Sequence, residues 1–195
     1  MTTGTLPSES HHQRIEAIIR RDPERLRLLR LVRDLELPDS WIAAGFLRNA
    51  VWDFLHDRPA RQVYDDIDVI WFDLSCASAE KDAALEDELA RQEASVRWSV
   101  KNQARMHLRN GDTAYHDAAD AMRHWVETTA AVALRIDPMD RISFSTPLGT
   151  DDLFEMIIRP GPRFRGDKHP IFDARIAEKR WFENWPRLQL RDCPA

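Results

Sequence analysis

The chain has 195 residues, 43% of them hydrophobic and 31% charged, with a formal net charge of −5. This length and balance suit one soluble domain with a hydrophobic core, and no apolar run approaches the roughly 20 residues that span a bilayer. A mildly acidic chain lacks the basic face with which polymer-binding proteins neutralise phosphates, which argues against a long nucleic acid but leaves a nucleotide open.

Residues 1–9 read as a disordered N-terminus, and 10–190 as a single α/β (α+β) domain with an N-terminal helical segment. Met1 to His12 is polar and has no basic-then-apolar leader pattern, so a cytoplasmic location is expected. A first helix carries Ile15, Ile18 and Ile19. A second starts at Asp22-Pro23, where Asp suits the N-cap and Pro the first helical position. Trp41 to Ala44 reads as a strand that turns at Gly45 into a helix with Leu47, Val51, Phe54 and Leu55. After a loop at Arg58-Pro59, Val63 to Phe72 reads as a strand. Ile67, Val69 and Trp71 line one of its faces, and Asp66, Asp68 and Ile70 the other.

A charged helix over 78–94 and a third strand at Val96 to Val100 follow. The second half predicts a helix over 117–132, strands at 133–136 and 142–145, a strand over Leu153 to Ile158, and a last helix over 171–184 stopped by Pro186. Only Cys76 and Cys193 are cysteines, and both are expected to be reduced. Seven histidines show no paired ligand spacing, so no zinc site is expected.

The chemistry concentrates in residues 41–73. Backbone N–H groups at a helix N-terminus attract anions, and Arg48 in that first turn can grip the same anion bidentately. Asp66 and Asp68 stand at i and i+2 on a strand, about 7 Å apart at Cα on one face. Paired carboxylates in that arrangement hold hard cations such as magnesium.

The glycine turn followed by Asp-x-Asp on the next strand resembles the polymerase-beta-like nucleotidyltransferases. The Gly45 to Asn49 run is similar to the Gly-Gly-x-x-Arg-Asp segment of tRNA nucleotidyltransferases. A closer resemblance is to a bacterial nucleotidyltransferase-like family. It runs through WIAAGFLRNAVWD (41–53), DDIDVIWFD (65–73), WSVKNQARMH (98–107), WVETTAAVALR (125–135), TPLGTDDLFEMIIRP (146–160) and EKRWFENWP (178–186). The resemblance implies a small mixed sheet flanked by helices. It also implies magnesium, with manganese as the alternative, held by Asp66 and Asp68 and bridging a nucleoside triphosphate. Gly45, Arg48, Asn49, Lys101 and Asn102 are the expected nucleotide contacts.

The implied activity moves a nucleoside monophosphate to an acceptor hydroxyl on a small molecule, an RNA end or a protein. The alternatives are a nucleotide-binding regulator that has lost turnover and a purely structural domain. The family usually has Gly or Ser directly after the first glycine, and here Phe46 occupies that place. The expected third strand offers Arg97, Ser99 and Lys101, none a carboxylate. Asp152 and Glu127 are the substitutes by position, and Asp152 is the preferred third acid.

Overall fold

The computed structural model describes residues 10–59 and 66–192; the expected disorder at 1–9, residues 63–65 of the expected strand, and Cys193 lie outside them. Helix α1 (His11–Arg20) begins with a reciprocal capping box between Ser10 and Gln13. In α2 (Pro23–Arg33) the Asp22 carboxylate accepts from the Arg25 N–H at 3.0 Å, and Pro23 opens the helix. Strand β1 (Trp41–Ala43) runs into α3 (Gly45–Leu55), which is followed by β2 (Ile67–Trp71) and α4 (Ala79–Gln92).

Strand β3 (Trp98–Asn102) lies two residues later than its alternation predicted. The Asn102 side chain then caps α5 (Gln103–Asn110), and Gly111 closes it in the left-handed conformation. No element was expected over 103–110. The cap signals of α5, Asn102 before it and Asn110-Gly111 behind, were there to be read.

The predicted helix over 117–132 stops early, as α6 (Ala118–Arg123). Residues 126–128 pair instead with 159–161. Glu127 bridges Pro160, the Gly161 N–H donates to the Val126 carbonyl at 2.8 Å, and the Thr128 N–H to the Arg159 carbonyl at 3.1 Å. Two successive β-branched residues, Thr128 and Thr129, lower the helix's claim on this segment. Strands β4 (Ala133–Ile136) and β5 (Ile142–Ser145) match their prediction.

The expected strand over 153–158 is instead a helical turn, α7 (Asp151–Phe154), and a two-residue strand, β6 (Ile157–Ile158), beside β7 (Gln189–Leu190). A short apolar run does not distinguish the two by periodicity. The last helix is broken into α8 (His169–Lys179) and α9 (Trp181–Asn184) by Arg180 at φ 49°.

The main sheet has the order β3-β2-β1-β4-β5, with β2 and β3 parallel and the other pairs antiparallel. One face, with Ile42, Ile67, Val69, Trp71 and Leu134, joins the large core formed with the N-terminal helices and α3. The opposite face, with Trp41, Ala43, Ile70 and Ala133, is covered in part by Ala118 and Met122 of α6. The predicted alternation along β2 therefore holds, and it places Asp68 on the thinly covered face. Among the described residues no helix is long and apolar enough to cross a membrane.

The strap carrying Glu127 is fixed by close packing at Gly161, where an added Cβ would lie 2.2 Å from the Trp125 carbonyl oxygen. Gly161→Ala is expected to cost about 1–3 kcal/mol as an overpacked site. The urea midpoint measures it, and an unchanged midpoint would show that the strap yields easily.

Candidate active site

Asp68 is the centre of the site. Register across the sheet sets Ser145, Ala133, Ala43, Asp68 and Ser99 in one row. Every neighbour of the carboxylate in that row is small, so the row forms a floor above which a ligand has room. Among the described residues no hydrogen bond or ion pair engages the Asp68 carboxylate. Burial pushes it above the usual carboxylate range. Arg48, Arg175 and Lys179 act against that shift, and nearby Asp66 adds to it. Asp66 is exposed and pairs with Arg97 at 2.6 Å.

Helix α3 starts beside this floor. Its N-cap position is Ala44, at φ 51° and ψ −120°, and no side chain caps the first-turn N–H groups. Ala44, not Gly45, is thus the residue in the glycine-favoured conformation. The Gly-Gly pair of the resembled motif falls on Ala44-Gly45, with Arg48 and Asn49 at the Arg-Asp places. This corrects the register that set Phe46 at the second glycine position; Phe46 is buried in the core. A Cβ on Gly45 would lie 3.4 Å from Asn49 Nδ2 and 3.5 Å from Arg48 Nη2. The glycine, the arginine and the asparagine therefore converge at the uncapped helix end. Arg48 is buried, with its guanidinium 5.0 Å from the Trp52 ring and 4.5 Å from the Trp181 ring. Trp185 and Trp181 pack edge-on against Trp52. These tryptophans pack together around the Arg48 guanidinium.

Two cavities meet at Ala44, Asp68 and Arg175. The polar one, of about 350 Å³, is lined by Gly45, Arg48, Asn49, Asp66 and Lys179. The larger, of about 470 Å³, is lined by Ser99, Lys101 and Glu127 among others. Glu127 is wholly buried and bonded to Arg175 Nε at 2.5 Å. Burial pushes its carboxyl up, opposed by Arg175, Arg48 and Lys179, which also act on Asp68.

The remaining expected site residues are placed as follows. Lys101 lines the larger cavity and pairs with Glu86. Asn102 is buried and spends its amide on Asp73, Cys76 and the start of α5. Asp152 accepts from Thr128 Oγ1 at 2.7 Å and pairs with Arg159 at 3.0 Å. Asn102 and Asp152 line neither cavity, so the structure does not bring them to Asp68. The acid it does bring there is Glu127, which the sequence reading ranked second. Arg175 and Lys179 were not among the expected site residues, although Lys179 lies inside the EKRWFENWP motif and Arg175 stands one helical turn before it.

The donor set suits magnesium in one respect. Among the described residues no three His, Cys, Asp or Glu side chains form a ready metal cage. Magnesium, however, commonly binds through one or two carboxylates plus substrate phosphates. An unpartnered Asp68 with Asp66 two residues away meets that need.

Two stability measurements test this electrostatic and conformational reading. The folded Asp68 carboxyl binds its proton more tightly than the unfolded one, so its ionisation removes stability as pH rises above about 4. Asp68→Asn should be more stable than wild type at pH 7–8, with the advantage fading as pH falls toward 4. A constant difference across that range would refute the desolvated-carboxyl assignment. Ala44→Gly should stabilise the fold by about 1 kcal/mol, since relief of backbone strain exceeds the added chain entropy. Thermal or urea unfolding reads the sign.

A profile of the family described as nucleotidyltransferase matches residues 30–190. A solution NMR structure described as a CCA-adding enzyme head domain is 33% identical, with a TM-score of 0.84, covering 94% of this chain and 97% of that one. A CCA-adding enzyme in complex with CTP is 17% identical with a TM-score of 0.56, over 91% of this chain. A tRNA nucleotidyltransferase bound to a primer tRNA and an ATP analogue is also 17% identical, with a TM-score of 0.52, over 84%. This chain spans less than half of those last two proteins, 43% and 46%, and they show the fold alone. No curated protein matches the sequence. With the family profile spanning most of the chain and the fold shared almost end to end with a CCA-adding enzyme head domain, the chain belongs to the nucleotidyltransferase family.

Proposed function

We propose that the protein transfers a nucleoside monophosphate from a nucleoside triphosphate to an acceptor hydroxyl with magnesium. The observation that carries the reading is the unpartnered Asp68 carboxylate beside the uncapped end of α3. The first-turn N–H groups of α3 would receive phosphate oxygens. Arg48 and Lys179 would neutralise their charge, and Asn49, which accepts from Arg48 at 3.1 Å, would orient the guanidinium. Asp66 and Asp68 would hold the ion, which would screen the phosphates and lower the pKa of the acceptor hydroxyl. The protein's share is placement and charge stabilisation.

A second reading is a nucleotide-binding regulator without turnover. It is favoured by Ser99, which stands beside Asp68 on the neighbouring strand where the third acid was expected. The two readings separate in a screen of labelled triphosphates with magnesium or manganese. Pyrophosphate release with a labelled product supports transfer, and tight binding without release supports the regulator.

Either way, Asp68→Asn should lose magnesium-dependent triphosphate binding. Equal affinity in wild type and variant would refute the site. Arg48→Ala should weaken binding by about 1.5–3 kcal/mol, the worth of a hydrogen bond to a charged group. Arg48→Lys should restore only part, because a point charge does not reproduce the planar fork. Circular dichroism of both variants controls for the loss of packing against Trp52 and Trp181.

A further inference from the structure

The start of α3, Arg48 and Lys179, the groups assigned to the triphosphate, line the polar cavity. The larger cavity adjoins it and shares Ala44, Asp68 and Arg175 with it. Nucleotidyl transfer needs two substrates, with the attacking and leaving oxygens roughly in line across the phosphorus. Two adjoining cavities with one carboxylate at their junction offer a place for each substrate.

We propose that the larger cavity is the acceptor pocket, and that it takes a small hydroxyl-bearing molecule with an aromatic or apolar body and an anionic group at its far end. The inference rests on the transfer reading of the same site and adds the substrate class to it.

Three independent observations support it. The first is Glu127, whose side chain is wholly buried and lines the cavity. Its Oε1 is held by Arg175, while its Oε2 is buried without a hydrogen-bond partner among the described residues. A buried acceptor left unpaired is costly and calls for a donor. A hydroxyl group in the cavity supplies one.

The second is the wall. Met106, Trp125 and Phe164 line the cavity, and Ile171 on α8, 52% exposed, leaves apolar surface open beside them. Burying an aromatic or aliphatic body there gains roughly 25 cal/mol per Å² of apolar area. The volume of about 470 Å³ falls within the range of about 300–1,000 Å³ typical of small-molecule pockets.

The third is Arg109, which lines the cavity, is exposed, and forms no ion pair with any described residue. The other cations of the lining are engaged: Lys101 by Glu86, Lys168 by Asp112, Arg175 by Glu127. Arg109 is therefore the cation left to meet an anionic group of the acceptor.

In the transfer step the acceptor oxygen forms a bond to the α-phosphorus, and the bond from that phosphorus to the pyrophosphate oxygen breaks. Pyrophosphate leaves with the bonding pair, and the hydroxyl proton passes to Glu127 Oε2.

The test uses 4-hydroxyphenylacetate as probe and phenylacetate as its hydroxyl-free counterpart. Both are titrated into the whole protein without nucleotide or metal and read by ligand-observed NMR. Wild type should prefer the hydroxyl compound by about tenfold, the scale of a charge-assisted hydrogen bond. Glu127→Gln should bind both nearly alike. Arg109→Ala, a surface change, should weaken both several-fold and keep the hydroxyl preference. A triphosphate analogue with magnesium should not displace the probe.

Equal binding of the two compounds by wild type overturns the proposal, as does binding of neither. Displacement of the probe by adenosine or cytidine also overturns it, because the cavity then holds the nucleobase. So does capture of a short RNA 3′ end in place of the probe. Because no turnover is read, the pocket can fail while pyrophosphate release succeeds, and the reverse.

Discussion

A carboxylate taken out of water stays ionised only if cations are brought to it. Two such groups, Asp68 and Glu127, stand in this cleft, and Arg48, Arg175 and Lys179 act on both. Arg48 comes from α3, and Arg175 and Lys179 come one turn apart from α8. The balance therefore exists only when α8 and the start of α3 line the same cavity. The closing Trp181 and Trp185 hold that arrangement, because Trp181 stacks on Arg48 and Trp185 donates to Asp53 at 2.9 Å. Packing and charge thus act on the same arginine.

The rest of the site is room. Ala133, Ala43 and Ser99 flank Asp68 in the sheet where larger side chains would fill the cleft. Ala44 keeps a strained backbone at the head of α3, which turns the uncapped N–H groups toward the same space. Strain of this kind, of order 1–3 kcal/mol, persists where surrounding structure over-determines it. Here β1 and α3, both well packed, fix the two ends of the turn.

The two cavities differ in character for a structural reason. The polar one lies where helix ends meet: the start of α3, the end of α8 and the start of β2. Helix ends carry unpaired backbone dipoles and charged residues. The larger one lies over the middle of the sheet's second face, which α6 covers only in part. Its walls are core-type side chains, Trp125, Phe164 and Met106, left open at one side.

Much of this was legible in the sequence. Asp22-Pro23, the Trp41 to Gly45 turn and the alternation along β2 are local signals, set by cap chemistry and by the two-residue period of a strand. They located α2, β1, α3 and the face that carries Asp68, and motif resemblance located the family. The sequence did not determine whether Asp152 or Glu127 lines a cavity with Asp68. Asp152 and Glu127 both precede apolar runs, and nothing local separates them. The tertiary structure decided it by pairing residues 126–128 with 159–161. That pairing ended α6 early and carried Glu127 inward, while Arg159 and Thr128 took up Asp152. It also showed that Ala44, not Gly45, carries the left-handed turn at the head of α3. Propensity and periodicity act over a few residues, whereas the charge balance of the cleft joins α3, the Glu127 strap and α8, segments that meet only in the folded chain.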